Sequence, residues 1–176
     1  MKEVLLIGNG PSCLNNEFGE LIDSHETIVR FNDFITKGYE EYVGSKTDVW
    51  VKTKKSIKHD NDKFKHKYYV HPRVLNSSDN ELSRLHEKGY EIIPVNFHDN
   101  IDKLIKGNSW ATTGLVMIYY FMEMGYKVSI HGFDFFENGV HYYNDGSKMV
   151  GHKPDLEKEI VTNLIKNKKI KVLRYE

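Results

Sequence analysis

The chain has almost no cysteine: one residue, Cys13, in 176. A single thiol closes no internal disulfide, which points to a reducing, cytoplasmic setting. It also removes the cysteine pairs of a structural zinc site, and the nine histidines do not fall at zinc spacing. An excess of one charge is missing too. Lys and Arg number 25 and Asp and Glu 25, so the formal net charge is zero at pH 7. Nothing in that balance steers the chain to nucleic acid or to an anionic membrane, and the basic run Lys52, Lys54, Lys55 and Lys58 reads as a solvated face. No apolar run approaches the ~20 residues of a transmembrane helix. The opening Met-Lys-Glu-Val-Leu-Leu-Ile-Gly is too short an apolar stretch for a signal peptide and carries an acid in its flank. Repeats, low-complexity tracts and Pro- or Gly-rich linkers are absent, so residues 1–176 are expected to form a single domain around one core. There is no G-x-S-x-G elbow for serine hydrolysis. Asp134 and Asp145 stand too far apart for a D-x-D metal-nucleotide site.

What is present alternates. Short apolar or β-branched runs at Val4–Ile7, Thr27–Phe31, Thr47–Val51, Tyr68–Val70 (closed by Pro72), Glu91–Val95, Lys127–His131 and Ile170–Leu173 read as strands. Helical spacing is found over Asn15–Ile22, Ser78–Lys88, Thr113–Met124 and Pro154–Lys166. Gly89 and Gly125 stop two of these helices, and Pro154 stands near the first turn of the last. Strands alternating with helices predict an α/β, Rossmann-like domain, a mostly parallel sheet with helices on both faces. Ligands of such sheets bind beyond the C-terminal ends of the strands. The residues standing there are Gly8-Asn9-Gly10, Asn32 and Gly132-Phe133-Asp134.

Gly8-Asn9-Gly10-Pro11-Ser12 follows the first strand, where glycines let backbone amides approach a phosphate and a helix N-terminus favours an anion. It is not a full dinucleotide fingerprint. Cys13 takes the place of the third glycine and Pro11 removes a donor. A tight strand-to-helix turn accounts for the same glycines. Thr112-Thr113-Gly114 opens the most apolar helix and is read in two ways, as an N-cap or as a carboxylate- or phosphate-binding turn. Tyr119, Tyr120 and Phe121 read as core packing. Two histidines, His141 in His-Tyr-Tyr-Asn-Asp-Gly and His152 in Gly-His-Lys-Pro-Asp, follow the sixth strand. A neutral imidazole takes a proton at pH 7 and a charged one steadies a leaving anion, so the pair suits an acid/base or transfer site.

Taken together, these blocks resemble the animal-type sialyltransferases, glycosyltransferase family 29. Ile7-Gly8-Asn9-Gly10-Pro11-Ser12, Ile22-Asp23-Ser24-His25-Glu26, Val29-Arg30-Phe31-Asn32 and Val43-Gly44-Ser45-Lys46-Thr47 look like the family's long motif. Thr112-Thr113-Gly114 through Ile130-His131-Gly132-Phe133 is similar to the short motif. His141-Tyr142-Tyr143 follows, and His152 with Glu157 matches the H-x4-E pattern of the very short motif. The four blocks run in order across nearly the whole chain. Gly8-Asn9-Gly10-Pro11-Ser12, the run Gly132–Gly139 and Gly151-His152 are also similar to the bacterial sialyltransferases of family 42. The Asp23 and Gly44 blocks rank family 29 first.

The resemblance implies a sialyltransferase (GT-A-like) fold and an inverting transfer of sialic acid from CMP-sialic acid to a glycan hydroxyl, with no cofactor and no metal required. It implies His152 as general base and His141 at the departing CMP phosphate. Asn9, Gly10, Ser12 and Asn32 are implied at the donor, with Thr112, Thr113 and Gly114 holding its carboxylate and nucleotide. Gly132, Asp134 and Tyr142 are further donor residues, and Glu157 is a structural support. An oxocarbenium-like transition state and a phosphate leaving group suit stabilisation by hydrogen bonds. The expected partners are a CMP-sugar and a glycan acceptor such as a surface lipooligosaccharide or capsule. The family's disulfide places correspond to Val4 and Gly125, so that bridge is absent. The Lys- and Asn-rich composition is associated with AT-rich bacterial or viral genomes. Three alternatives remain open: transfer of another CMP-ulosonic acid such as Kdo, a non-catalytic nucleotide- or glycan-binding module, and a metal-dependent pterin pyrophosphokinase-like protein, which shares Gly-Asn-Gly-Pro-Ser.

Overall fold

The computed structural model describes residues 2–53, 59, 63–70, 79–105, 109–135, 140–143 and 152–175. Lys54, Lys55, Lys58, Pro72, Ser78, the run Phe136–Gly139, Asp145 and Gly151, all used in the sequence reading, lie outside them.

The first strand, β1 (Glu3–Ile7), sets the plan. Its last four residues, Val-Leu-Leu-Ile, are all buried. A strand apolar on both sides needs cover on both faces, which is the condition of a central parallel strand. It has that position. Leu6 pairs with Val29 of β2 (Ile28–Phe31) on one side and with Ile130 of β6 (Lys127–His131) on the other, both parallel. Beyond β2 lie β3 (Val49–Lys52), β4 (His66–Tyr69) and β5 (Tyr90–Ile92), and beyond β6 lies β7 (Ile170–Val172). Among the described residues the sheet has seven strands, all parallel, in the order β5-β4-β3-β2-β1-β6-β7.

Strand alternation sorts the core into layers. Val4 and Leu6, with Val29, Val49 and Ile130, face α5 (Thr113–Glu123) and α6 (Pro154–Lys166), together with α4 (Val95–Leu104). Five residues of α5 are buried: Leu115, Val116, Met117, Ile118 and Phe121. At ~1.5–3 kcal/mol for each fully buried apolar side chain, this helix is the largest single contributor on that face. Leu5, Ile7 and Ile28 face the other way. There they meet Cys13 of a short 3-10 turn (Pro11–Leu14), Ile22 of α1 (Gly19–Asp23) and Val43 of α2 (Glu40–Val43). On the same face, Leu85 of α3 (Asp79–Glu87) packs on Phe34, Trp50, Tyr69 and Tyr90.

Two expected elements differ. The helix expected over Asn15–Ile22 is reduced to the five-residue α1: residues 15–18 are bends and loop, and the 3-10 turn before them ends at Leu14, where the Asn15 N–H caps it on Ser12 O. The strand expected over Glu91–Val95 ends at Ile92, and α4 follows with Pro94 as its N-cap. The polar stretch Asn96, His98, Asp99 and Asn100 hides that helix from a hydrophobic count, since its inward positions include a histidine, His98.

Two of the motif blocks prove to be scaffold. The Asp23 carboxylate accepts from Ser45 N (3.0 and 2.9 Å), Ser45 Oγ (2.8 Å) and Lys46 N (2.9 Å). Burial alone would raise the Asp23 pKa. These bonds and the Arg30 charge outweigh burial and hold it below the usual carboxylate range. Arg30 itself is 1% exposed and donates to the carbonyls of Val43 (2.5 Å) and Lys46 (3.0 Å) and to Thr47 Oγ1 (3.1 Å). The Asp23 and Gly44 blocks thus bind each other beneath β2 rather than a ligand.

Candidate active site

The chain leaves β1 on one side, builds β2 to β5, and returns to place β6 on the other. The strand order therefore reverses between β1 and β6, and a crevice opens beyond their C-terminal ends. A cleft of about 230 Å³ lies there. Its floor is Gly8-Asn9-Gly10 after β1 and Gly132-Phe133-Asp134 after β6. Phe31, Asn32 and Thr53 form one wall, and Thr112–Leu115 with Pro154, Glu157 and Val161 the opposite one. Phe135, Val140, His141 and His152 line it as well.

The two floor loops are locked together by backbone. Gly8 N donates to His131 O (2.7 Å) and Gly10 N to Gly132 O (2.9 Å). A Cβ on Gly10 would stand 2.5 Å from the Asp134 carboxylate, and one on Gly132, at φ 71°, 2.1 Å from Cys13 Sγ. The Gly10 amide, expected at the donor, is therefore engaged by the neighbouring loop. Ser12 is engaged as well. Its N–H donates to Asp134 Oδ2 at 2.7 Å and its hydroxyl to Asp134 Oδ1. Asp134 thus occupies the anion position at the start of the 3-10 turn, where the sequence suggested a phosphate. A second anion there would meet a carboxylate.

Asn9 and Asn32 both line the cleft. Asn9 Nδ2 donates to Phe31 O (3.1 Å), and the Asn9 main-chain carbonyl accepts from Tyr142 N (2.9 Å), which ties the 140–143 segment to the loop after β1. Asn32 has φ 53°, a left-handed conformation that asparagine tolerates better than most residues. Its Oδ1 accepts from Thr53 N (3.1 Å) and its main-chain carbonyl from Trp50 Nε1 (2.8 Å). The side-chain NH2 is the donor end of the same amide.

The opposite wall is the N-terminus of α5. Thr112 is its N-cap, accepting from Leu115 N at 3.3 Å. The same residue donates its N–H (2.8 Å) and hydroxyl (2.6 Å) to Glu157, which is 2% exposed. The N-cap reading is met by Thr112, which is consumed as cap and tether, while Thr113 and Gly114 line the cleft at the start of the eleven-residue helix. Burial raises the Glu157 pKa above the usual carboxylate value; its two bonds from Thr112 and the nearby His152 oppose this, and Asp102 adds to it.

His141 and His152 line the same cleft. His141 packs on Tyr143 at 5.1 Å between ring centroids. His152 Nδ1 lies 2.8 Å from Trp110 O. A carbonyl only accepts, so Nδ1 carries a proton, and in the neutral ring the lone pair then lies on Nε2, the atom from which a general base would act. Tyr142 is not brought into the cleft. Its ring is buried against Tyr39 and Tyr143, and its hydroxyl donates to Ile35 O. Burial pushes that hydroxyl well above the ordinary tyrosine range. Thr53, which the sequence reading passed over, lines the cleft directly after β3; the strand-end rule that found Asn32 applied equally to it. Trp110, which holds His152, carried no signal in sequence. Among the described residues, no three His, Cys, Asp or Glu side chains gather as a metal site, and no helix is long and apolar enough to cross a membrane.

Known proteins match this chain in part and in full. The model of glycosyltransferase family 29 (sialyltransferase) matches residues 2–86. The beta-1,6-galactosyltransferase GALT29A of Arabidopsis thaliana is 43% identical over 44 residues, 25% of this chain and 11% of that protein. The beta-galactoside alpha-2,6-sialyltransferase 2 of Bos taurus is 41% identical over 51 residues, 29% of this chain and 10% of its own. The chain thus spans about a tenth of the length of these curated relatives, which come from a plant and an animal. A crystal structure of a mammalian sialyltransferase in complex with Gal-beta-1-3GalNAc-ortho-nitrophenol superposes with a TM-score of 0.76 at 20% identity, covering 99% of this chain and 70% of that one.

Proposed function

We propose, for a chain that resembles family 29 in its motifs and across its matched first half and that has the sialyltransferase fold throughout, that it is an inverting glycosyltransferase moving sialic acid from CMP-sialic acid to a glycan hydroxyl. The observation that carries the reading is the meeting of His141 and His152 with the N-terminus of α5 and the loops after β1 and β6 in one cleft.

In this reading the acceptor hydroxyl gives its proton to His152 Nε2 as its oxygen bonds to the anomeric carbon. The bond from that carbon to the CMP phosphate breaks on the opposite face, which inverts the centre. His141 and the first-turn amides of α5 meet the charge developing on the phosphate. That role falls to α5 because Asp134 holds the other helical turn. Glu157 favours the imidazolium that forms on His152. The leaving group is stabilised by hydrogen bonds in place of a metal, and a cytoplasmic setting belongs to the same proposal.

A second reading has its own support. The plant relative is a galactosyltransferase, and its match is as strong in identity as that of the sialyltransferases. The donor would then be a nucleotide-linked galactose. Calorimetric titration with CMP, CMP-sialic acid and UDP-galactose in EDTA separates the two. Cytidine ligands binding without metal are expected. Binding of UDP-galactose alone moves the assignment to galactosyl transfer, and binding only after magnesium is restored overturns metal independence.

A further inference from the structure

Trp110 and Ala111 share one peptide group, and both of its polar ends are engaged. Its carbonyl accepts from His152 Nδ1 at 2.8 Å. Its N–H donates to Asp102 Oδ1 at 2.7 Å. The other carboxylate oxygen, Oδ2, lies 3.2 Å from Nδ1 of His98, one turn earlier on α4, and that histidine is 2% exposed. The peptide has little freedom, because the next residue, Thr112, is tied to Glu157 of α6 through its N–H and its hydroxyl. A carboxylate, a single peptide plane and an imidazole therefore stand in line.

The physical consequence follows from polarisation. A carboxylate accepting from an amide N–H makes the carbonyl of that peptide a stronger acceptor, since hydrogen bonds in a chain reinforce one another at low local dielectric. The stronger acceptor fixes the Nδ1–H tautomer and raises the proton affinity of Nε2. A carboxylate bonded directly to a histidine orients it in the same way. We propose that Asp102 is a positioning residue for His152, acting through the 110–111 peptide group. This deepens the reading of His152 as the base, but the effect on the imidazole does not depend on which reaction the cleft performs.

Other titratable groups surround His152: Glu157 on α6, its neighbour Lys153, and His141 and Asp134 in the same cleft. The test must separate the relay from their fields. It uses nitrogen NMR on the full-length labelled protein, with the His152 signals identified by their loss in His152→Gln. The wild type is expected to show neutral His152 with its proton on Nδ1. In Asp102→Asn, whose amide oxygen can still accept from Ala111, the His152 midpoint should fall by ~0.5 pH unit with the fold intact by circular dichroism. Asp155→Asn removes a charge on the first turn of α6 outside the relay and should leave the midpoint in place. Where a transferase assay exists, Asp102→Asn should lower kcat about tenfold and leave the donor KM unchanged. A wild-type proton on Nε2, an unmoved midpoint in Asp102→Asn, or equal shifts in the two variants overturns the relay. A wild-type proton on Nε2 overturns the relay even if Asp102→Asn does not fold. Loss of the transferase reading alone would leave the midpoint shift standing.

Discussion

Gly132→Ala tests the architecture beneath the cleft, and its cost can be worked from two separable parts. Gly132 has φ 71°, where an L-residue with a Cβ is disfavoured by ~1–2 kcal/mol. The new Cβ would also stand 2.1 Å from Cys13 Sγ, well inside contact distance. Cys13 is fully buried and cannot swing into solvent, so the surroundings must shift, at ~1–3 kcal/mol for overpacking of this kind. The sum is about 3 kcal/mol, or roughly 10 °C in Tm for a chain of this length. Urea unfolding measures it, and a double-mutant cycle divides it. Cys13→Ala removes the sulfur that the methyl strikes but leaves the backbone conformation as it is. Cys13→Ala/Gly132→Ala should therefore recover about 1–2 kcal/mol relative to additivity, and not the remainder. Gly132→Ala within ~0.5 kcal/mol of wild type, or a strictly additive pair, would refute the packing argument.

Three more outcomes are expected. Glu157 has a folded pKa above its ordinary 4.5 because it is buried, so the native state holds its proton to higher pH than the unfolded chain. Stability should fall as pH rises from 4.5 through that folded value, and Glu157→Gln should flatten this part of the unfolding profile; a wild-type slope retained in the variant contradicts it. Burial pushes the Cys13 thiol up to about 12, so a thiol reagent at pH 8 should label the native protein only at the rate of unfolding, and rapid labelling would place Cys13 outside the core. His152→Ala should keep CMP affinity within about twofold while transfer drops ~10²–10⁴-fold; an undiminished rate removes His152 as base.

Much of the fold was legible because its signals are local. The run Val4–Ile7, apolar on both sides, marked a buried strand, and Lys127–His131 and Pro154–Lys166 have the bounds their patterns suggested. The helix α4 was not legible. It turns His98 inward, and a histidine counts as polar in any hydrophobic pattern. The candidate site divides in the same way. Asn9, Asn32, Gly132, His141 and His152 follow strands or carry recognisable motifs, and the fold gathers them in one cleft. Ser12 and Tyr142 sit in equally recognisable motifs, but their polar groups are spent on Asp134 and on the Ile35 carbonyl. No motif records whether a hydroxyl already has a partner.

The sequence by itself determined which segments become strands, that they alternate with helices, and therefore that the sheet is parallel and its ligand crevice lies beyond the strand ends. These properties rest on periodicity and on the short reach of a chain between neighbouring elements. Only the tertiary structure decided which groups meet there. Residues 42 positions apart place His152 on the Trp110 carbonyl, residues 45 apart place Thr112 on Glu157, and residues 122 apart give Ser12 to Asp134. Hydrogen bonds act over about 3 Å, a distance that sequence separation does not measure, so the tautomer of the proposed base and the charge of its surroundings were fixed by packing alone.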